Sequence, residues 1–266
     1  MPRTKLPELA RPTAPLADDQ ESREARQHLE AAGLRKGMTV LELNASFDHT
    51  TRIMSEMVGP RGRVILHTDD EQKLESARLR LKDLRNLTYF SGPLHPLSID
   101  DETADLTYSR GVLEYQPNPL EMVEEFIRVT RRGGKIVCAE LDNSGLNHYP
   151  MPPHLEKQLQ ELARELHLSQ VWDPQIGRKL YSLFHELGLQ TIKAHLFPHH
   201  LVYGRSESMD EQEWLRRIEK LEELKMQGHL KMKFDSTAFR NDLLAFFQNP
   251  LRLSYSPLIL VEGVKS

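Results

Sequence analysis

Short apolar runs alternate along the first half of the chain with longer stretches whose apolar residues recur every three or four positions. The runs at 38–43, Arg63–Thr68, Leu87–Phe90, Ala104–Ser109 and Lys135–Leu141 are bounded by turn residues and predict five buried strands. The stretches between them predict helices. Ala25, Leu29 and Ala32 share a stripe that opens after Asp18-Asp19 and stops at Gly33. A second helix runs through Met57, with Thr50 or Asp48 as its cap and Gly59-Pro60 as its stop. A third carries Leu74, Ala77, Leu81 and Leu84. A fourth begins at Pro119 and presents Met122, Val123, Phe126 and Val129 before Gly133-Gly134. Strands and helices alternating at these spacings predict a parallel sheet with helices on both faces.

Beyond residue 150 the pattern changes. Helices are predicted at 154–168 and 176–187, then a long strand over Thr191–Tyr203 interrupted by Pro198. A charged helix follows at 208–227, carrying Trp214, then another at about 236–248, and a terminal strand over Pro257–Gly263. The segment 205–252 is long for a connection between strands, which points to a lid or substrate wall. Residues 1–17 are proline-rich and read as an extended arm. Residues 18–266 read as one domain with helical lid elements at about 150–188 and 205–252.

Composition narrows the partners. The chain has 266 residues and a net charge of −4, which gives no electrostatic footprint for nucleic acid. Its single cysteine, Cys138, lies in an apolar run and reads as a small core residue. No stretch is long and apolar enough to cross a membrane, and no signal-peptide core opens the chain, so a cytoplasmic location is expected.

One stretch organises the rest. Val40-Leu41-Glu42-Leu43 followed by Asn44-Ala45-Ser46-Phe47-Asp48 and His49-Thr50-Thr51 reads as strand, tight turn and helix start. Such a unit sets backbone N–H groups and a helix N-terminus at the strand's carboxyl end, where open α/β sheets bind nucleotide-like ligands. A turn of this kind is normally glycine-rich. This one contains no glycine.

With Gly33–Leu43, Val58–Val64, Ser109–Tyr115 and Arg128–Lys135 on the page, the chain resembles the class I S-adenosylmethionine (SAM) dependent methyltransferases of the bacterial small-molecule type. The likeness covers nearly all residues from about 18 onward. It implies a Rossmann-like α/β fold: a seven-stranded, mostly parallel sheet in the order 3-2-1-4-5-7-6 with an antiparallel last strand and a helical lid insertion. It also implies cofactor positions. The glycine-rich turn falls on Asn44, Ser46 and Asp48, with Phe47 where the ligand passes. The ribose-binding acid falls on Thr68, with Asp69 one residue late. The acid that contacts adenine falls on Pro93, which has neither carboxylate nor N–H. Like charges repel at short range, so Asp48 would oppose the cofactor's own carboxylate.

These departures predict a pseudo-methyltransferase with a degenerate SAM site, for which no cofactor is expected. It would bind a small molecule, catalyse a non-methylating step, or serve as partner subunit of an active methyltransferase. The alternative is an active SAM-dependent enzyme acting on a small molecule. Glu140, His148 and Tyr149 are candidates for acid–base work, and Tyr108, Arg110 and Tyr115 flank the expected pocket beside Phe47. The pair His199-His200 alternates across a strand, while His195 and His199 share a face. With no further ligands nearby, no metal site is expected.

Overall fold

The computed structural model describes residues 18–43, 49–143, 146–170, 172–205, 218–219, 221–228 and 235–266. These fall into two compact units. The larger gathers the described residues of Leu16–Ser144, Gln170–Phe197 and Pro257–Ser266, and the smaller those of Gly145–Ser169 and Pro198–Ser256.

The strands are β1 (Thr39–Leu43), β2 (Arg63–Thr68), β3 (Leu87–Ser91), β4 (Ala104–Arg110), β5 (Thr130–Leu141), β6 (Asn147–Tyr149), β7 (Gln190–Tyr203) and β8 (Leu253–Val264). In the larger unit β3, β2, β1, β4 and β5 lie side by side and parallel. β8 returns antiparallel to β5, pairing Lys135 with Val264 and Leu141 with Leu258, and β7 pairs with β8. With β6 set aside, this is the order the resemblance implies. The short β6, which no sequence signal marks, pairs with the first residues of β8, Asn147 opposite Tyr255. β8 therefore begins at Leu253, ahead of the expected Pro257. Pro198 lies inside β7 and does not interrupt it. An outer strand tolerates a residue without N–H, since only one of its edges needs a ladder.

The helices of the larger unit are α1 (Asp18–Ala31), α2 (His49–Val58), α3 (Glu71–Arg80), α4 (Pro119–Val129) and α6 (Leu180–Glu186). Successive strand residues point to opposite faces, which divides the core in two. Val40, Val64, Leu66, Leu106, Tyr108 and Val137 face one layer with Leu29, Met54 and Leu74 from α1, α2 and α3. Leu41, Leu43, Ile65, Ile136 and Cys138 face the other, with Phe126 from α4 and Phe184 from α6. Caps start the helices where the polar residues allow. Asp70 Oδ1 accepts from the N–H groups of Gln72 and Lys73 at the start of α3, 2.9 and 3.2 Å away. Asn118 caps α4, with Pro119 in its first turn as expected. Thr50 lies within α2 and so is not its cap; Asp48, the other expected cap, is outside the described residues.

In the smaller unit α5 (Pro153–Leu168) packs against α7 (Ser236–Phe247), and His154 Nε2 meets Asp242 Oδ2 at 2.9 Å. Asp235 caps α7. Trp214 lies outside the described residues. No helix among the described residues is long and apolar enough to cross a membrane.

Candidate functional site

The carboxyl ends of β1, β2 and β4 lie together, because the three strands are parallel neighbours. At the first of them, Glu42 is fully buried and its Oε2 accepts from the Thr51 hydroxyl at 2.7 Å. This bond ties α2 to the strand across the turn that separates them. The turn's Asn44, Ser46, Phe47 and Asp48 are outside the described residues.

At the end of β2 the Thr68 hydroxyl accepts from the Asp70 N–H at 3.1 Å, so Thr68 shapes the entry to α3. Asp69 is half-buried beside it. His67 has no exposed surface, and among the described residues neither ring nitrogen has a hydrogen-bond partner. Burial lowers its pKa, and the nearby Asp69 carboxylate partly opposes that shift. The loop after β3 closes on the same point. Gly92 N–H donates to Thr68 O at 3.0 Å. A Cβ at Gly92 would stand 3.1 Å from Ser98 Oγ and 3.9 Å from His67 Nε2. Pro93 follows, exposed. The loop is held from below by Arg128, which donates to Glu125, Asp101 and the carbonyls of Leu97 and Ile99. Glu125 in turn accepts from the Leu97 N–H at 2.7 Å. The Arg128 guanidinium holds the Glu125 carboxyl below the usual carboxylate range.

At the end of β4, Tyr108 is fully buried and Arg110 half-buried. Tyr115 closes the 3-10 turn Leu113–Tyr115 and is half-buried. Glu140, on the adjacent β5, is buried, and its Oε1 accepts from the N–H groups of both Val112 and Leu113 at 3.0 Å. Its carboxylate thus orders the backbone that carries Tyr115. Trp172 Nε1 donates to Glu114 on the same turn at 2.8 Å, and Arg178 grips Asp142 through two hydrogen bonds of 2.8 and 2.7 Å. Trp172 and Arg178 are structural in these contacts.

Tyr108, Arg110, Tyr115 and Glu140 therefore share one end of the larger unit. His148 and Tyr149 belong to the smaller one, on β6. His148 Nδ1 lies 2.8 Å from Ser254 Oγ and its ring meets Phe246 edge-on, while Tyr149 is largely exposed. Among the described residues no group of His, Cys, Asp and Glu could hold a metal ion. Cys138 is buried, and burial pushes its thiol pKa well up. A depression of about 550 Å³ lies at the other edge of the sheet, lined by Gly59, Gly62, Arg63 and Asn86. It sits at the amino ends of β2 and β3, away from the strand ends where such sheets bind ligands.

Sequence reasoning passed over two buried histidines. His67 ends the apolar run of β2, and His28 lies on the apolar stripe of α1 between Ala25 and Leu29. A polar residue at a core position was the available signal in each case.

Residues 41–138 match a family model described as a methyltransferase domain. Demethylmenaquinone methyltransferase from Lactococcus lactis is 30% identical over 115 residues, 42% of this chain and 46% of that protein. The chain thus spans about half the length of this curated relative. The crystal structure of the YcgJ protein from Bacillus subtilis matches with a TM-score of 0.61 at 16% identity, over 92% of this chain and 98% of that one. Geranyl diphosphate C-methyltransferase from Streptomyces coelicolor matches with a TM-score of 0.52 at 13% identity, over 92% of this chain and 76% of that one. At these identities the structures bear on the fold alone. The fold they share with this chain is the Rossmann-like methyltransferase fold.

Proposed function

We propose that this chain is an active class I SAM-dependent methyltransferase whose acceptor is a small molecule, a reading supported by the match of residues 41–138 to a methyltransferase domain. The family match carries this reading, since it runs from β1 to β5 through each segment expected to contact the cofactor. It shifts the balance away from an abandoned site. The degenerate positions Asn44, Ser46, Asp48, Thr68 and Pro93 are departures in side chain. Backbone N–H groups at the strand ends remain available whatever those side chains are.

The residues at the end of β2 fit a nucleoside. Asp69 is half-buried there and would accept from the ribose hydroxyls, one residue later than the resemblance implies. His67 lies beneath, with two buried nitrogens that have no hydrogen-bond partner among the described residues. SAM, when bound, supplies an electrophilic methyl group on a sulfonium. The chain's own part is to hold and orient. Glu42 and Thr51 fix α2 on β1, Arg128 fixes the loop after β3, and Glu140 fixes the turn after β4. With Glu140 engaged by two backbone N–H groups, its first role is positioning. The small-molecule acceptor is supported by the net charge of −4, which offers no electrostatic footprint for nucleic acid.

Calorimetric titration with SAM and with S-adenosylhomocysteine tests the proposal. Binding in the micromolar range is expected, roughly −8 kcal/mol. No binding at millimolar ligand would refute it and return the chain to the pseudo-methyltransferase reading.

A further inference from the structure

The start of β8, in the smaller unit, alternates in the wrong sense for water. Successive strand residues point to opposite faces. Arg252 and Ser256 are buried, while Leu253 and Tyr255 between them are exposed. The inward face is packed. His148 Nδ1 lies 2.8 Å from Ser254 Oγ with its ring against Phe246 of α7, and the Arg252 guanidinium lies 5.2 Å from the centre of the Phe247 ring.

Three strands build the outward face. β6 sets Tyr149 beside Leu253 and Asn147 beside Tyr255. The last residues of β7 flank β8 on its other side. There the Gly204 N–H donates to Arg252 O at 2.8 Å, and Arg252 Nε donates to Gly204 O at 3.1 Å. The end of β7 thus meets the start of β8, so the paired strands run antiparallel. Counting inward from that contact sets Tyr203 beside Leu253 and Leu201 beside Tyr255. Tyr203, Leu253 and Tyr149 form one row across the sheet, and Leu201, Tyr255 and Asn147 the next.

Tyr203, Tyr149, Leu201, Tyr255 and Leu253 are 76%, 75%, 61%, 48% and 41% exposed. Side chains of this size at these exposures leave about 600 Å² of surface in one patch, at the upper end of what a monomer shows. None of the six positions carries a charge. Tyrosine without charge is the composition of the centre of an interface. Such a face meets its own copy without like-charge repulsion, and one sheet face packs on another at a spacing of about 10 Å. Two copies would bury about 1,200 Å², which reaches the area a specific interface needs.

We propose that this face is the interface of a two-fold homodimer, in which the outward sheet face of one copy's smaller unit packs on the same face of a second copy. The assignment goes beyond the methyltransferase reading and does not depend on it. An area at the lower bound for stable interfaces gives a reversible association, with a dissociation constant of about 10 μM.

Sedimentation velocity of the full chain from about 1 to about 200 μM tests it, and a shift from monomer to dimer across that range is expected. Leu253→Lys and Tyr203→Lys each place a charge in the covered row and are expected to weaken the dimer at least about tenfold. Both positions are exposed in a single copy, so melting temperatures of the dilute proteins are expected to match wild type. Leu79→Lys makes the same change at an exposed leucine of α3 in the larger unit and is expected to leave the dimer intact. A wild type that stays monomeric at about 200 μM, or a dimer that survives both substitutions, would overturn the interface. So would equal weakening by Leu79→Lys, which would make the effect one of net charge. A monomer that instead sediments with phosphatidylcholine vesicles would also overturn it, and would give the face to a lipid surface. Titration with S-adenosylhomocysteine reports on methyl transfer separately, so either assignment can fail alone.

Discussion

Replacing His28 by leucine is expected to flatten the response of stability to acid. The folded protein holds the His28 pKa near 4, against an ordinary value of 6.5, because burial and the Arg110 charge both disfavour the imidazolium. A group with a lowered folded pKa takes its proton more readily when the chain is unfolded. Its contribution is therefore fully present above about 6.5 and drains away as pH falls toward about 4. Each unit of difference corresponds to about 1.4 kcal/mol, so the fall from 6.5 to about 4 removes about 3 kcal/mol. That is a large share of a typical domain's stability of about 5–15 kcal/mol. Urea unfolding of wild type and His28→Leu across this range measures it, and the difference between the two curves isolates His28. His67 shifts in the same direction but is present in both proteins, so it cancels. The curves are expected to diverge by about 3 kcal/mol between neutral pH and about pH 4. Parallel curves, or a His28 ring that titrates near 6.5 by NMR, would refute the reasoning.

Glu140→Ala leaves the Val112 and Leu113 amides unanswered in a buried place and is expected to cost about 2–4 kcal/mol by urea unfolding, whereas Glu140→Gln, which keeps an acceptor, is expected to cost about 1 kcal/mol. Arg128→Ala strands the buried Glu125 carboxylate and is expected to cost about 2–4 kcal/mol, with faster hydrogen exchange in residues 94–101 as the local signature. Asp69→Asn is expected to weaken S-adenosylhomocysteine about tenfold in calorimetry without changing the melting temperature, and an unchanged affinity would remove Asp69 from the nucleoside site. Cys138 is expected to resist thiol reagents in the folded protein and to react on unfolding, because its thiol is buried and its pKa raised.

How far the sequence could be read depended on the range of the interactions involved. Strands β1 to β5 and helices α1 to α4 announce themselves through apolar periodicity and through stops such as Gly59-Pro60, which act over a few residues. The order of the sheet followed from the family resemblance, and the register confirms it. Two local readings missed because a neighbour decided them. Pro198 reads as a break but lies within β7, an outer strand that needs a ladder on one side only. β6 carries too few residues to show a period and exists through its pairing with Leu253–Tyr255.

The sequence alone thus determined the alternating α/β architecture, the absence of a cysteine framework, and the side-chain departures from a glycine-rich cofactor turn. Those are properties of composition and of near neighbours. Tertiary structure alone decided what the polar residues do. Glu140 reads in sequence as an acid–base candidate at a strand end, and becomes a buried acceptor because the amides of Val112 and Leu113, 28 and 27 residues earlier, fold onto it. His28 reads as one polar residue on an apolar stripe. It gains its meaning from Phe197 on β7, whose ring packs against it, and from burial and the Arg110 charge, which lower its pKa. A side chain's charge state and partners depend on what surrounds it in space, and for residues so far apart along the chain only the completed fold supplies those surroundings.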